Sequence, residues 1–198
     1  DTGSRQVKKT DPQGNTIWTN TDHSNQVRSV AVDSEGYVYS ASLDGTVKKI
    51  TPNGNTFDTF QVDDDFAFDV AVSPVTESGT QYVAAGTGFP NNRAYRWTQS
   101  PVPTDLSQPD WNNNDHDGNV KGVAVGKNGN VYTASGDNTV KKIDPQGNTV
   151  WTNNDHTCIF YTSDAADEED SVALPGSDTG KKTSQNNTIF HHLRIKTY

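Results

Sequence analysis

Residues Asp22 to Ile50 read DHSNQVRSVAVDSEGYVYSASLDGTVKKI, and the pattern returns 93 residues later, from Asp115 to Ile143, as DHDGNVKGVAVGKNGNVYTASGDNTVKKI. A constant offset of this kind is the signature of an internal repeat. Inside the copy, runs of alternating apolar and polar residues are separated by Asp-Gly and Asn-Gly pairs, which supply the positive φ angles of tight hairpins. The stretch predicts four short antiparallel strands in about forty residues.

Shorter copies of the end of this pattern extend the repeat along the chain. VKKTDPQGNTIW occupies residues 7–18, VKKITPNGNTF residues 47–57 and VKKIDPQGNTVW residues 140–151. We therefore treat residues 1–198 as one repeat region, with 180–198 as a partial unit or a closing strand. The full units run over about 7–46, 47–93, 94–139 and 140–179.

These units predict an all-β protein. No segment keeps a 3.6-residue apolar period, so no long helix is expected. Four strands in each unit of about forty residues are typical of a β-propeller blade. We predict a β-propeller of four-stranded antiparallel blades with four to five units in this chain, which is either a small ring or part of a larger one.

The unit resembles a WD-repeat blade. In that family a Gly-His turn precedes the first strand and an Asp turn precedes a Thr-Val-Lys strand. Asp22-His23 stands where the Gly-His turn would be, and Asp44–Lys48 matches the second motif. The unit is also similar to pyrroloquinoline-quinone-type repeats, through Gly36–Tyr39 and the tryptophan of the later copy, Trp151.

Histidines recur after the same aspartate, at His23, His116 and His156. A ring of metal-binding or catalytic histidines is one interpretation, but residues repeated once per blade lie too far apart to share one metal at about 2.0–2.1 Å. The WD resemblance implies a structural role, in which the turn histidine binds the aspartate of the later turn. That pairs His23 with Asp44, and likewise His116 with Asp137.

Trp18, Trp111 and Trp151 occupy equivalent places in the repeat. The quinone-type resemblance implies that such a tryptophan docks neighbouring blades, and stacking on a sugar is the alternative. Equivalence in every unit favours packing, where a large aromatic buries about 150–250 Å². We therefore expect all three to be mostly buried.

The charge and the apolar content of the chain exclude some classes of binding partner. The formal net charge of −9 argues against a nucleic-acid partner, since non-specific binding of phosphate rests on a basic surface. No apolar stretch reaches the roughly 18–20 residues of a membrane span. The acidic runs 63–65 and 164–170 lack the spacing of a calcium-binding loop. The role of Cys158, the single cysteine, stays open.

The sequence contains no signature of catalysis, so we expect no catalytic, cofactor-binding or metal-binding residues and no cofactor. Our first functional hypothesis is a non-enzymatic scaffold that binds a protein or glycan, outside a cell or on a cell, virion or filament surface, as in adhesion or receptor binding. One alternative is a segment of a quinoprotein-type enzyme. The other is a purely structural subunit of a homo-oligomer or larger assembly.

Overall fold

Fourteen β-strands make up the regular structure of the residues that the computed structural model describes, which are 4–62, 66–99 and 105–156. These residues lie in the first of two units, Asp1–Asp167, and the second, Glu168–Tyr198, is outside them. Their bounds are β1 Val7–Thr10, β2 Thr16–Asn20, β3 Val27–Val32, β4 Val38–Ser42, β5 Thr46–Ile50, β6 Thr56–Gln61, β7 Ala67–Val72, β8 Gln81–Thr87, β9 Ala94–Gln99, β10 Trp111–Asn113, β11 Val120–Val125, β12 Val131–Ser135, β13 Val140–Ile143 and β14 Thr149–Asn153.

The strands form four antiparallel sheets in chain order. Sheet 1 contains β1 and β2, sheet 2 contains β3 to β6, sheet 3 contains β7 to β10, and sheet 4 contains β11 to β14. Within each sheet every strand pairs with the next one along the chain. The predicted all-β fold of four-stranded antiparallel blades is confirmed. Across the described ranges, no helix is long and apolar enough to span a membrane.

The hairpin turns use the residues that the sequence predicted. Gly45 follows Asp44 with a φ of 77°, and Gly54 follows Asn53 with a φ of 90°. Asn138, at the position of Gly45 in sheet 4, has a φ of 65°. Asparagine tolerates this left-handed region better than most residues, so the turn survives the loss of its glycine.

The repeat units and the sheets are offset from each other. The unit boundaries at 47, 94 and 140 fall at or beside the start of the third strand of a sheet. Each unit therefore spans the last two strands of one sheet and the first two of the next. Sheet 1 contains only the last two strands of this pattern, because β1 and β2 match β13 and β14 in sequence. The predicted partial unit or closing strand, 180–198, lies outside the described residues.

Apolar side chains are buried between consecutive sheets rather than within any one sheet. One cluster joins sheets 2 and 3 around Tyr39 and Trp97, and a second joins sheets 3 and 4 around Ala84 and Val123. A third, smaller cluster joins sheets 1 and 2 around Val7 and Ile50, with Trp18 packed against it. Each sheet is therefore held mainly by its neighbours.

Within the described residues, the two-stranded sheet 1 covers only part of sheet 2. Val30 and Val32 of β3 are 53% and 59% exposed, whereas Val123 and Val125, at the same positions in sheet 4, are 4% and 2% exposed. Sheet 3 covers the valines of sheet 4. In the part of the chain described, sheet 1 supplies only the last two strands of the pattern beside sheet 2, and the matching valines there face solvent.

The interface between sheets 2 and 3 is aromatic. The ring of Phe60 meets those of Trp97 and Tyr95 edge-on, with centroids 5.1 and 5.4 Å away. Trp97 is 1% exposed and donates its indole N–H to the carbonyl of Leu106 at 3.1 Å. The backbone N–H of Leu106 in turn donates to the carboxylate of Asp58. The loop after β9 is thereby folded back onto sheet 2.

We predict that Trp97→Ala lowers the free energy of unfolding by about 3–5 kcal/mol, because it removes a fully buried aromatic and leaves a cavity. Urea titration followed by circular dichroism would measure this. Val75→Ala is the matched control, since Val75 is 37% exposed on a loop of the same sheet. A loss for Trp97→Ala no larger than that of the control would contradict a core role for the aromatic interface.

Candidate functional site

A histidine brace ties together one end of sheet 2. His23 is 3% exposed. Its Nδ1 lies 2.9 Å from the carboxylate of Asp44, and its Nε2 lies 2.8 Å from the hydroxyl of Ser40. Asp44 also accepts from the backbone N–H of Ser24 and from the hydroxyl of Thr46. The brace therefore joins the segment before β3 to the β4–β5 turn.

Sheet 4 contains the same brace with one change of residue. His116 Nδ1 lies 3.0 Å from Asp137, and its Nε2 lies 2.7 Å from the hydroxyl of Thr133, which replaces Ser40. The hydroxyl of Thr139 donates to Asp137 at 2.7 Å. The two pairs expected from the sequence, His23 with Asp44 and His116 with Asp137, thus lie in contact, each within its own sheet.

The order Ser40–His23–Asp44 is also that of a hydrolytic triad, so its access to a substrate matters. Ser40 is 0% exposed and Thr133 is 1% exposed. A nucleophile must reach a substrate carbonyl, and these hydroxyls are enclosed by protein. As it stands, this arrangement can hold a turn in place but cannot perform acyl transfer.

Burial controls the protonation of the brace. Burial lowers the pKa of both His23 and His116 below 6.5, although the carboxylate beside each ring opposes the shift. Burial alone would raise the pKa of Asp44 and Asp137, but hydrogen bonds from the threonine, the histidine and nearby backbone lower each to about 2. Each pair is therefore a neutral imidazole donating to a carboxylate near neutral pH.

The remaining members of the histidine series lie elsewhere. His156 is exposed. The aspartate that would correspond to Asp44 in its unit falls beyond residue 156, outside the described residues. In the second unit the position of His23, 40 residues later, is occupied by Asp63, which also lies outside the described residues.

A tryptophan at the end of one sheet packs on a glycine in the next. A Cβ atom on Gly54 would lie 2.8 Å from the indole of Trp18, and one on Gly147 would lie 2.8 Å from that of Trp111. Both distances are shorter than real side chains tolerate, so only glycine fits beneath either ring. Trp18 also donates its indole N–H to the carbonyl of Pro52 at 2.9 Å.

An asparagine and an aspartate complete each of these contacts. Asn20 donates to the carbonyl of Gly54 and to the hydroxyl of Thr56, both at 3.0 Å, and that hydroxyl donates to Asp22. We call this set the clasp: Trp, Asn and Asp on one sheet form its donor half, and the Pro-x-Gly-x-Thr turn of a neighbouring sheet forms its seat. The second clasp joins Trp111, Asn113 and Asp115 to Gly147 and Thr149.

The expectation that all three tryptophans are mostly buried is wrong for Trp151. Trp18 and Trp111 are half-buried, whereas Trp151 is 41% exposed. The first two each lie on the glycine 36 residues later, and the same offset from Trp151 gives position 187, outside the described residues. The repeat therefore predicted where Trp151 lies in its sheet, but it did not predict whether a neighbouring sheet covers the ring.

Sheet 3 replaces the histidine brace with a longer loop. Residues 88–93 connect β8 to β9, and Phe89 in this loop is 73% exposed. Phe66, just before β7, is 46% exposed and lies edge-on to Phe68. The backbone N–H of Gly88 donates to the carbonyl of Phe66 at 2.9 Å, and that of Phe89 donates to the side chain of Asn119 at 2.9 Å. Two aromatic rings are thus displayed by hydrogen-bonded backbone.

Two buried charged residues were not singled out from the sequence. Arg96 donates to Asp110 at 2.8 and 3.0 Å and to the carbonyl of Gly129 in sheet 4 at 3.0 Å. Asp69 accepts from the backbone N–H of Val123 in sheet 4 at 2.8 Å, and burial raises its pKa. Arg96 stands where the other units carry Lys49 and Lys142, so the repeat indicated a basic residue there but not its partners. Asp69 stands where the other units carry Ser29 and Gly122, so the repeat gave no signal for a carboxylate.

The described ranges contain no group of three or more His, Cys, Asp or Glu side chains placed to hold a metal ion. The acidic residues 63–65 and 164–170 and Cys158 lie outside those ranges. Chemically, the described site consists of two closed polar braces, two inter-sheet clasps and one displayed pair of aromatic rings.

Comparison with known proteins supports the propeller architecture. The family model described as "WD domain, G-beta repeat" matches residues 14–49, which include the clasp residue Trp18 and the brace residues His23 and Asp44. No curated protein matches the chain. The match supports the resemblance to WD repeats, and it gives no support to the resemblance to quinone-type repeats. It indicates a β-propeller protein-interaction scaffold.

We predict that His23→Ala and Asp44→Ala each lower the free energy of unfolding by about 1–3 kcal/mol, because each leaves a buried polar partner without its hydrogen bond. The double variant should lose less than the sum, since the two residues act as one unit. Urea titrations of the three variants would measure this cycle. His156→Ala is the control and should cost little, since His156 is exposed. Full additivity would show that the histidine and aspartate do not act as a pair.

The pKa shifts predict how stability depends on pH. Because the pKa of His23 and His116 is lowered in the folded state, the unfolded chain binds more protons as the pH falls below 6.5, and stability drops. Asp44 and Asp137, with pKa values lowered to about 2, cause a second loss as the pH falls from 3.8 toward 2.

Unfolding free energies measured between about pH 7.5 and about pH 5 would test the histidine part of this dependence. The slope should be steeper for the wild type than for the double variant His23→Ala/His116→Ala. Equal slopes would contradict the assignment to the braces.

Proposed function

We propose that this protein is a non-enzymatic β-propeller scaffold that binds a protein partner through the aromatic pair at the end of sheet 3. The observation that carries the proposal is the exposure of Phe89 and Phe66 at the one sheet end, among sheets 2 to 4, where a loop replaces the compact braced turn. Loops held on a rigid scaffold are the usual location of binding residues.

The surroundings of the loop favour recognition over flexibility. Besides the two bonds from Gly88 and Phe89, the backbone N–H of Thr87 donates to the carbonyl of Arg93 at 2.8 Å, and that of Asn92 donates to the carbonyl of Gly88 at 2.8 Å. A loop fixed in this way loses little conformational entropy when a partner binds. Aromatic residues, phenylalanine included, are enriched at the buried core of protein interfaces.

The charge of the chain bears on the kind of partner. The formal net charge of −9 disfavours polyanions, so nucleic acid is not proposed. We propose an apolar or basic protein segment that covers the two phenylalanines. Of the three repeat tryptophans only Trp151 is exposed, so a stacked array for sugars gains little support. An extracellular or surface location remains part of this proposal and rests on the acidic, polar composition alone.

The quinoprotein alternative makes a separate demand on the full chain. It requires a calcium ion and a bound quinone. The test is to add calcium and the quinone and to record the absorbance of the bound cofactor. Saturable binding would support the quinoprotein alternative. The non-enzymatic proposal expects no saturable binding in that experiment.

Peptides selected from a displayed random library against the wild-type protein provide a probe of the binding surface. We predict that Phe89→Ala weakens their binding by about tenfold or more, because burying a phenylalanine side chain is worth about 1.5–3 kcal/mol. Calorimetry or fluorescence anisotropy would measure the affinities. Val75→Ala, on the loop at the other end of sheet 3, is the matched control and should bind as the wild type does.

Retained affinity in the double variant Phe66→Ala/Phe89→Ala would overturn the proposed location. A library that yields no binding peptide, together with glycan binding that is lost in Trp151→Ala, would overturn the protein-partner function in favour of a glycan.

A further inference from the structure

The two ends of the described chain carry opposite, unused halves of the clasp. Sheet 4 ends with a donor half, Trp151, Asn153 and Asp155, in the sequence WTNNDH, which matches WTNTDH at 18–23 and WNNNDH at 111–116. Sheet 1 contains a seat, DPQGNT at 11–16, which is identical to the occupied seat at 144–149. Both halves are therefore present with every residue that the occupied clasps use.

Neither half has a partner within the described structure. A Cβ atom on Gly14 would meet nothing within 4 Å, whereas the same atom on Gly54 or Gly147 would collide with an indole. Gly14 has a φ of 88°, close to the 90° and 89° of those two glycines, so its turn already has the shape of an occupied seat. Trp151, the matching ring, is 41% exposed.

Among the described residues, the asparagine of the donor half also makes fewer hydrogen bonds than the asparagines of the two occupied clasps. Asn20 and Asn113 each reach across to the carbonyl of a seat glycine and to a threonine hydroxyl. For Asn153, the donor contact found is with Asp155 of its own sheet, at 3.5 Å. The side chain is held near the position from which the other two asparagines bind a seat.

The face of sheet 4 beside Trp151 is less covered than its equivalent. Tyr39, Ala41 and Val47 of sheet 2 are 0% exposed beneath sheet 3. Tyr132, Ala134 and Val140 occupy the same positions in sheet 4 and are only half-buried. Within the described residues, the donor half thus borders an apolar face that is less covered than the equivalent face of sheet 2.

We propose that Trp151, Asn153 and Asp155 of one copy bind the Pro12–Thr16 seat of a second copy, so that the protein associates head to tail. Charge supports this pairing. In sheet 4, Lys141 donates its ammonium group to the backbone carbonyl of Asp115, and Lys8 is the equivalent lysine beside the free seat. Lys8 would therefore face Asp155 of the incoming copy.

A second copy is the occupant that we propose, because the described residues of one chain hold both a donor half and a seat and leave both open. Each copy offers one donor half and one seat, which are different surfaces. Contacts of this heterologous kind add copies in one direction, and they form a ring where the rotation closes or a filament where it does not. The association goes beyond partner binding at sheet 3 and uses none of its residues.

Sedimentation velocity on the full chain between about 5 and about 200 µM tests the proposal, over the affinity range of weak protein contacts. The wild type should show a mass that rises with concentration above the monomer mass of 21.6 kDa. Trp151→Ala removes the donor half. Gly14→Asn fills the seat with a residue that still tolerates a positive φ. Each variant alone should raise the dissociation constant at least tenfold and remain folded by circular dichroism.

A mixture of the two variants tests directly whether a donor half binds a seat. Trp151→Ala keeps its seat and Gly14→Asn keeps its tryptophan, so an equal mixture should form a one-to-one dimer that grows no further. Phe89→Ala, which alters a different exposed aromatic, is the control and should associate as the wild type does.

Three outcomes would overturn the proposal. The first is a wild type that stays monomeric throughout, including one whose Trp151 proves shielded from a fluorescence quencher, since the chain would then seat its own tryptophan. The second is undiminished association in both single variants. The third is a mixture of variants that fails to form the dimer. None of these results bears on peptide binding at Phe89.

Discussion

Each sheet of this protein has two faces, and strands of three to seven residues bury neither face without a neighbouring sheet. The apolar clusters lie between consecutive sheets for this reason. Three further features of the described structure serve that stacking. The clasps set the distance between the sheets they join, the histidine braces keep the turns of sheets 2 and 4 compact, and positive-φ residues allow the hairpins to be short.

The sequence predicted what is local to one repeat. Alternating residues and Asp-Gly or Asn-Gly turns identified the hairpins, since both depend on neighbours a few residues away. The resemblance to WD repeats paired His23 with Asp44, which lie within one copy of the motif. The clasp carried a signal as well, because Trp-x-Asn-x-Asp-His and Pro-x-Gly-x-Thr both recur, but the spacing alone did not show that the two motifs touch.

Relations between sheets were harder to predict, because a repeat shows which positions are equivalent and not which have a neighbour. Val30 and Val123 are equivalent, yet one is exposed and the other is buried. Trp151 was expected to be buried for the same mistaken reason. The interface between sheets 2 and 3 was missed because it departs from the repeat: Phe60 stands there where Asn20 stands between sheets 1 and 2.

Because of that departure, we expect sheets 2 and 3 to unfold together and sheet 1 to open more easily. Hydrogen bonds exchange readily with water, whereas separating the rings of Phe60 and Trp97 exposes a large apolar area at once. Amide protons in β4, β5 and β8 should therefore exchange only on global unfolding, while those of β1, in a two-stranded sheet held by one clasp and a small apolar cluster, exchange through local opening. Native-state hydrogen exchange would then resolve sheets 2 and 3 as a single folding unit, with sheet 1 as its fraying end.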